Sequence, residues 1–487
     1  MVRAKGKRGT REGPVSRLLD LKGVDSVRSP LDGSSRPSAR RCALFGFAIA
    51  LSMLASNACQ PGAENSARER GKHPPNVLII LTDDQTSRNT MSAMPETRRI
   101  FGEGGVRFTN AVATTPVCCP SRSSIFSGRY VHNHAVIGNH SSRMLDHTKT
   151  MQHELQEAGY TTSIVGKFLN FWTEAPPFFD RWAIFDRSYS SPVFDVDGES
   201  VKGGYSTTTV REHALDLLED FEIDDGRPWM MQISPYAPHL ARRTNAHEMV
   251  EDRYISAAVR GFPASPSMIA GVSEKPAFLM RSGVERRSSE KDFRRALRSL
   301  LSVDDLVREV FLLLDRLNES ENTLAFFLSD NGRLFGQHGL TGKNLPYDES
   351  SRIPFYVRWP GRMEPGTIDR RIVANIDVAP TIYEATGVDP SYPVDGLDLR
   401  SSDRKAILLE NLLMPGGSKT RWLARWTPRS LFVKWVHPSL LEYYAPNDPW
   451  QLHNVYSDPA KRKDPTQEER WLRWLDRMSS CVAKACP

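Results

Sequence analysis

Cysteine is scarce in this chain: Cys42, Cys59, Cys118, Cys119, Cys481 and Cys486 are the six among 487 residues. So few, two of them adjacent, exclude a small fold stapled by many cross-links. Cys481 and Cys486 lie five apart and have two readings, a short disulfide loop in an oxidising compartment or two free thiols in a frayed tail. Long apolar runs are missing as well. The stretch from Cys42 to Ala55 has fourteen apolar-biased residues, short of the roughly 20 that span a bilayer. Nor is there a general excess of charge. The net +6 comes from 64 Lys and Arg against 58 Asp and Glu; residues 1–58 hold eleven of these bases and four acids, so 53 bases face 54 acids in residues 59–487. A near-neutral body has no general electrostatic footprint for nucleic acid, and polyanion binding must rest on local patches. No internal repeat or low-complexity tract is evident beyond the first 58 residues.

What is present is ordinary globular composition, 39% hydrophobic and 25% charged, in a chain long enough for a large core and more than one domain. Residues 1–58 read as a leader: a basic stretch ending in Arg40-Arg41, the apolar run, then Ser56-Asn57-Ala58 before Cys59. Export is the expectation, to a secreted, periplasmic or cell-surface location, over a single anchor helix. The basic region of about forty residues is long for a signal and leaves open a start downstream of Met1. Cys59 stands where a bacterial lipoprotein carries its acylated cysteine, although Ser56 replaces the usual Leu, so a lipid anchor stays open.

Residues 59–75, with Pro61, Gly62, Pro74 and Pro75, read as a linker. Val77-Leu78-Ile79-Ile80-Leu81 and Leu324-Ala325-Phe326-Phe327-Leu328 are short continuous apolar runs, the pattern of strands buried on both faces of a parallel sheet. The first stops at Asp83-Asp84, the second at Asp330-Asn331. Helical spacing from about Phe293 to Leu317 and from Arg211 to Phe221 precedes the second run and a strand at Trp229–Ile233. The predicted fold is α/β: a large mixed, mostly parallel sheet sandwiched by helices, spanning residues 76–387. A helix over 377–387 closes it. A smaller C-terminal α+β domain with an antiparallel sheet is expected over 388–487. Both acidic clusters then fall past the carboxyl ends of buried strands, where open α/β sheets place their ligands, and His239 lands on the same edge.

The most specific string is Cys118-Cys119-Pro120-Ser121-Arg122, continuing to Gly128-Arg129. It resembles the signature by which sulfatases mark the cysteine that a formylglycine-generating enzyme oxidises to formylglycine. The resemblance covers most of residues 76–460. Asn76 to Gln85 is similar to the family's opening strand, Ser329 to Gly339 to its Asp-Asn-Gly segment, and Lys343 to Pro354 to its Lys-Tyr-Arg-Pro segment. It implies a hydrolase of sulfate esters. Hydrated formylglycine at Cys118 attacks sulfur through one hydroxyl, and the other then expels sulfate; an unmodified thiol lacks that second hydroxyl and stalls. Arg122 holds the formylglycine, Lys167 and Lys343 grip the sulfate oxygens, and His239 is the acid for the leaving oxygen.

The residue chemistry agrees. An anionic ester needs positive charge against its non-bridging oxygens. Asp83, Asp84, Asp330 and Asn331 offer hard oxygen ligands that suit Ca2+ first and Mg2+ second, with the modified Cys118 completing the set. A lone Asp-Asp pair is ordinarily a solvated turn; two such pairs at matching strand ends point to metal. Where many sulfatases have His, two residues after the first lysine, this chain has Leu169, and Asn170 is the replacement donor we expect. Lys167-Phe168-Leu169-Asn170, Cys118-Cys119 and His132-Asn133-His134 are similar to sulfatases acting on the 6-sulfate of N-acetylglucosamine in heparan-type glycans. An arylsulfatase, a related phosphonate monoester or phosphodiester hydrolase, and a non-catalytic carbohydrate-binding protein are the alternatives. His338 is expected to pack near the metal cluster and Cys119 in the core. His132, His134, His140 and His147 either line a substrate mouth or form a surface loop.

Overall fold

The computed structural model describes residues 74–486 apart from 225, 242–247, 263, 270–273, 280–285, 413–420, 437–438 and 459–463. The expected leader and the lipidation site at Cys59 lie outside the described residues.

In chain order the strands are β1 (Asn76–Thr82), β2 (Val106–Val112), β3 (Thr161–Gly166), β4 (Arg181–Ile184), β5 (Val193–Val196), β6 (Glu199–Lys202), β7 (Trp229–Ser234) and β8 (Thr323–Ser329). They continue as β9 (Leu334–Phe335), β10 (Thr341–Gly342), β11 (Phe355–Arg358), β12 (Thr367–Ala374), β13 (Ile407–Asn411), β14 (Trp422–Thr427), β15 (Ser430–Trp435) and β16 (Leu440–Tyr444). One ten-stranded sheet runs β12-β2-β11-β8-β1-β7-β3-β4-β5-β6. All of its strands but β11 and β5 point the same way. An antiparallel sheet β13-β14-β15-β16 follows near the C-terminus. The mixed, mostly parallel sheet with a smaller antiparallel one is the architecture the sequence predicts.

The central strands explain why both faces are covered. Val77 to Leu81 are all 0% exposed. Leu78 and Ile80 join the core under helices Ser206–Phe221 and Arg286–Leu317, while Val77, Ile79 and Leu81 join that under Cys118–Ser127, Met151–Glu157 and Val378–Thr386. Alternate side chains of a strand point to opposite faces, so a strand with helices on both sides must be apolar throughout. The predicted strands differ from the observed ones by a residue at either end. The two long helices begin earlier than expected. Residues 286–292 are polar with no apolar period, and Ser206-Thr207-Thr208-Thr209 is a hydroxyl run whose residue types favour caps and turns, yet Ser206 and Thr207 are buried.

The smaller sheet carries its own core of Trp422, Trp426 and Trp435, joined by Tyr347 and Leu334. Cys481 and Cys486 are disulfide-bonded, so the closed loop is the state adopted. Among the described residues no helix is long and apolar enough to cross a membrane.

Candidate active site

Four neighbouring strands deliver the site. β1 and β8 end level, Thr82 opposite Ser329, and β3 and β7 end level, Gly166 opposite Ser234. The residues that follow are Asp83-Asp84, Asp330-Asn331, Lys167, and the turn through Tyr236 to His239. A level sheet edge therefore brings together groups nearly 250 positions apart in the chain, as a parallel sheet's carboxyl edge does. Cys118 opens the buried helix Cys118–Ser127 after β2, and a helix N-terminus favours negative charge beside it.

The side chains form one network. Cys118 Sγ donates to Asp83 Oδ1 at 3.4 Å and accepts from Lys343 Nζ at 2.7 Å. Lys343 also pairs with Asp84, and Lys167 with Asp83. Arg122 Nε donates to Asp330 Oδ2 at 2.9 Å, and its Nη1 to the Lys167 carbonyl at 2.7 Å. The Asp84 amide donates to Asp330 Oδ1 at 3.1 Å, and Asn331 Nδ2 to Asp84 Oδ1 at 2.6 Å. Asp84 has φ 66°, a left-handed conformation that costs a β-carbon-bearing residue about 1–3 kcal/mol. The bonds from Asp330, Asn331 and Lys343 over-determine it.

Three carboxylates, Asp83, Asp84 and Asp330, face four cations, Arg122, Lys167, Arg333 and Lys343. Burial works to raise the Asp83 carboxyl, but Lys167 and His239 outweigh it and hold it at about 2. Asp84 is likewise held well below the usual carboxylate range against burial, chiefly by Lys343. Burial and then Asp83 push the Cys118 thiol up, so the unmodified side chain stays protonated. Burial brings His239 down to about 4 although Asp84 and Asp83 pull the other way, leaving a neutral imidazole whose Nε2 is 3.6 Å from Asp84 Oδ2. Tyr236 stacks on that ring at 4.7 Å, and Tyr189 donates to the His239 carbonyl at 2.7 Å.

Four of these side chains could together hold a metal ion. Ligating atoms of Asp83, Asp84, Cys118 and His239 lie within 4.8 Å of one another. The buried Asn331 Oδ1 has no hydrogen-bond partner, an oxygen left for a cation. The sulfatase family model matches residues 75–388.

The chain belongs to the sulfatase family. It is 30% identical over 358 residues to the extracellular sulfatase SULF-1 homolog of Drosophila melanogaster, covering 68% of this chain and 31% of that one. It is 30% identical over 366 residues to N-acetylglucosamine-6-sulfatase of Homo sapiens, covering 68% of this chain and 64% of that one. The chain thus spans less than two thirds of either relative's length. A solved structure described as bound to its substrate D-glucosamine-2-N,6-O-disulfate shares the fold, with TM-score 0.73, 21% identity, and coverage of 83% of this chain and 97% of that one.

Cys118, Arg122, Lys167, His239, Lys343, Asp83, Asp84, Asp330 and Asn331 lie in a single constellation. Asn170 stands slightly apart: its amide donates to Cys119 Sγ at 3.1 Å, and its buried Oδ1 is unpartnered. Cys119 packs with Leu169 and Phe168. His338 is buried 3.6 Å from Glu349. Of the four clustered histidines, His134 is in the core beside Ser124, His132 is held between Glu410 and the Cys481 carbonyl, and His147 packs against Phe168 and Trp172; only His140, stacked on the half-exposed Phe171, fits a surface loop. Sequence reading missed Arg333, whose Nη1 donates to Asp84 Oδ2 at 3.0 Å. Its signal was a base two residues beyond an Asp-Asn pair. Asn375 was missed too; its Nδ2 donates to Ser121 Oγ at 2.9 Å, and Ser121, a member of the Cys118–Arg122 string, donates to the Asp330 carbonyl, tying the helix Cys118–Ser127 to the acidic loop.

Proposed function

We propose that this sulfatase hydrolyses 6-O-sulfate esters of N-acetylglucosamine units in sulfated glycans, with Cys118 converted to formylglycine beside Ca2+ or, second, Mg2+. The observation that carries the proposal is the ring of cations around Cys118 Sγ: Lys343 Nζ at 2.7 Å, and Lys167 and Arg122 facing Asp83, itself 3.4 Å from the sulfur. A sulfate brought to that atom meets positive charge on several sides, where its non-bridging oxygens need it. Formylglycine would supply a hydrated aldehyde with two hydroxyls, and a cation held by Asp83, Asp84, Asp330 and Asn331 would supply further positive charge to the site. Lys343 and Lys167 hold the anion, Arg122 fixes Asp330 and the Lys167 backbone, and His239, braced by Tyr236 and Tyr189, serves the leaving oxygen. Asn170, with its free Oδ1, is the proposed contact to the sugar. The sugar class is supported by the likeness to N-acetylglucosamine-6-sulfatase and by Lys167-Phe168-Leu169-Asn170. Maturation requires a formylglycine-generating enzyme, and export is supported by the apolar run from Cys42 to Ala55.

The test is to co-produce the chain with a formylglycine-generating enzyme and measure sulfate release from a 6-sulfated N-acetylglucosamine saccharide and from an aryl sulfate, with Cys118→Ala as control. Release from the saccharide that vanishes in the control is the expected result. Release from the aryl ester alone discards the glycan class. No release from either, with formylglycine confirmed by mass and an aryl phosphonate monoester cleaved, replaces the reading with the phosphonate hydrolase. Unmodified Cys118 in protein from the native host would favour a non-catalytic binder.

A further inference from the structure

A second cavity, of about 550 Å³, opens against the sheet beside β2 and β11 and shares no residue with the constellation around Cys118. Five arginines line it, Arg88, Arg98, Arg107, Arg260 and Arg352, and no carboxylate does. In a body whose bases and acids nearly cancel, that is a concentrated positive patch. The arginines divide into two kinds. Arg88 and Arg352 are half-buried and anchored: Arg88 lies 4.2 Å over the Trp450 ring and 3.6 Å from Asp348, and Arg352 donates to Asn110 Oδ1 at 2.9 Å. Arg98, Arg107 and Arg260 are exposed, and no ion pair or side-chain hydrogen bond reaches them among the described residues. Three unpaired guanidinium groups come from three places in the chain: the start of the helical segment Arg98–Glu103, the start of β2, and the stretch before the helix Arg286–Leu317. Converging like charges repel, so their placement around one concavity makes sense when an anion lies between them.

We propose that this cavity is an exosite for a sulfated stretch of glycan chain distant from the ester being cleaved. Guanidinium groups match pairs of oxygens on a sulfate or carboxylate with paired N–H donors, and hold their charge at every working pH. The volume suits one or two sugar units. A concave site favours a saccharide over a duplex nucleic acid, which needs an extended basic face. The cavity is continuous with the catalytic edge through the chain: Arg88 follows Asp84 by four residues, and the Ser87 amide donates to the Arg352 carbonyl at 3.3 Å. A polymer held at both places gains from the second contact as a tethered ligand does. The glycan identity rests on the function proposed above; the anion site itself does not.

The test uses the triple variant Arg98→Ala, Arg107→Ala, Arg260→Ala, whose exposed, unpaired side chains can be removed without breaking a contact. Binding is read as the dissociation constant for a size-defined sulfated oligosaccharide lacking 6-O-sulfate, in protein carrying Cys118→Ala. Turnover is read separately on an aryl sulfate and a sulfated polymer. The expected result is at least tenfold weaker oligosaccharide binding, a matching rise in KM on the polymer, and unchanged aryl turnover. Equal binding by variant and parent overturns the exosite, whatever the enzyme activity. Equal loss of affinity for polyphosphate and for the oligosaccharide overturns its glycan selectivity. Absent turnover on every ester with binding still lost in the variant leaves the exosite standing and removes the sulfatase reading.

Discussion

Arg333 is where a single side chain shifts the balance of the site. Without it three carboxylates face three cations; with it the constellation carries one surplus positive charge before any metal binds. Its Nη1 lies 3.0 Å from Asp84 Oδ2, and its side chain is 18% exposed. Charge-assisted contacts of this kind contribute about 1.5–3 kcal/mol. Asp84 retains Lys343 and Asn331 when Arg333 is removed, so the fold should survive. We expect Arg333→Ala to raise KM for an anionic ester about tenfold, equivalent to about 1.4 kcal/mol, with a smaller change in kcat, and Arg333→Lys to recover part of it. Steady-state kinetics on an aryl sulfate separate these, and unchanged KM with altered Tm would assign Arg333 to stability alone. The side chain escaped sequence reading because a base two residues beyond an Asp-Asn pair does not by itself disclose the left-handed turn at Asp84 on which the contact depends.

At the scale of elements, the β3–β7 pairing sets where Lys167 stands. Gly166, the last residue of β3, has φ 104°, and a β-carbon there would run into the Ser234 carbonyl oxygen of β7. The Lys167 amide donates to that same carbonyl at 2.8 Å. Glycine is required twice, for the conformation and for the close approach. Gly166→Ala should therefore push the two strand ends apart, destabilise the fold by about 3 kcal/mol or more through clash and positive φ together, and remove activity even at temperatures where the variant stays folded. Thermal melts beside turnover would show this; a folded variant with full turnover would mean that Lys167 need not be held so closely. The strands that carry Asp83-Asp84 and Asp330-Asn331 were legible because burial on both faces forces unbroken apolar runs. β12 was not: Thr367-Ile368-Asp369-Arg370-Arg371 leaves one flank exposed, and the parallel pairing to β2 has a register shift there. β6, a short edge strand with every residue exposed, and its four-residue neighbour β5, where only Phe194 is buried, carry the weak pattern of strands that need little burial. Motif strings picked out the members of the constellation more sharply than periodicity located the sheet, since residue identity is local and sheet order is not.

Across the whole molecule, acid lability should trace in large part to a buried histidine that is not a member of the constellation around Cys118. His134 Nδ1 accepts from the Val136 amide at 3.1 Å, which leaves its proton on Nε2, 3.0 Å from Ser124 Oγ. Both ring nitrogens are thus satisfied only in the neutral form. Burial first, and Arg129 next, lower its pKa to about 3. His147 is lowered by burial in the same direction, to about 4. A histidine whose folded pKa lies below its unfolded value near 6.5 binds its proton preferentially when unfolded. Its stabilising contribution is therefore complete above about pH 6.5 and is lost progressively as pH falls toward 3, at up to about 1.4 kcal/mol per pH unit for one group. His132 acts in the opposite sense: despite burial, its bond to Glu410 raises its pKa, so its contribution fades as pH rises. The two are separated by the variant His134→Leu, which keeps an apolar body at the site while leaving Ser124 Oγ and the Val136 amide unpaired. That variant should melt lower than the parent at pH 7.5 and lose less stability between pH 6.5 and 4.5, so that the two stability curves converge on acidification. Parallel curves would place the proton uptake elsewhere, with His147 the next residue to replace.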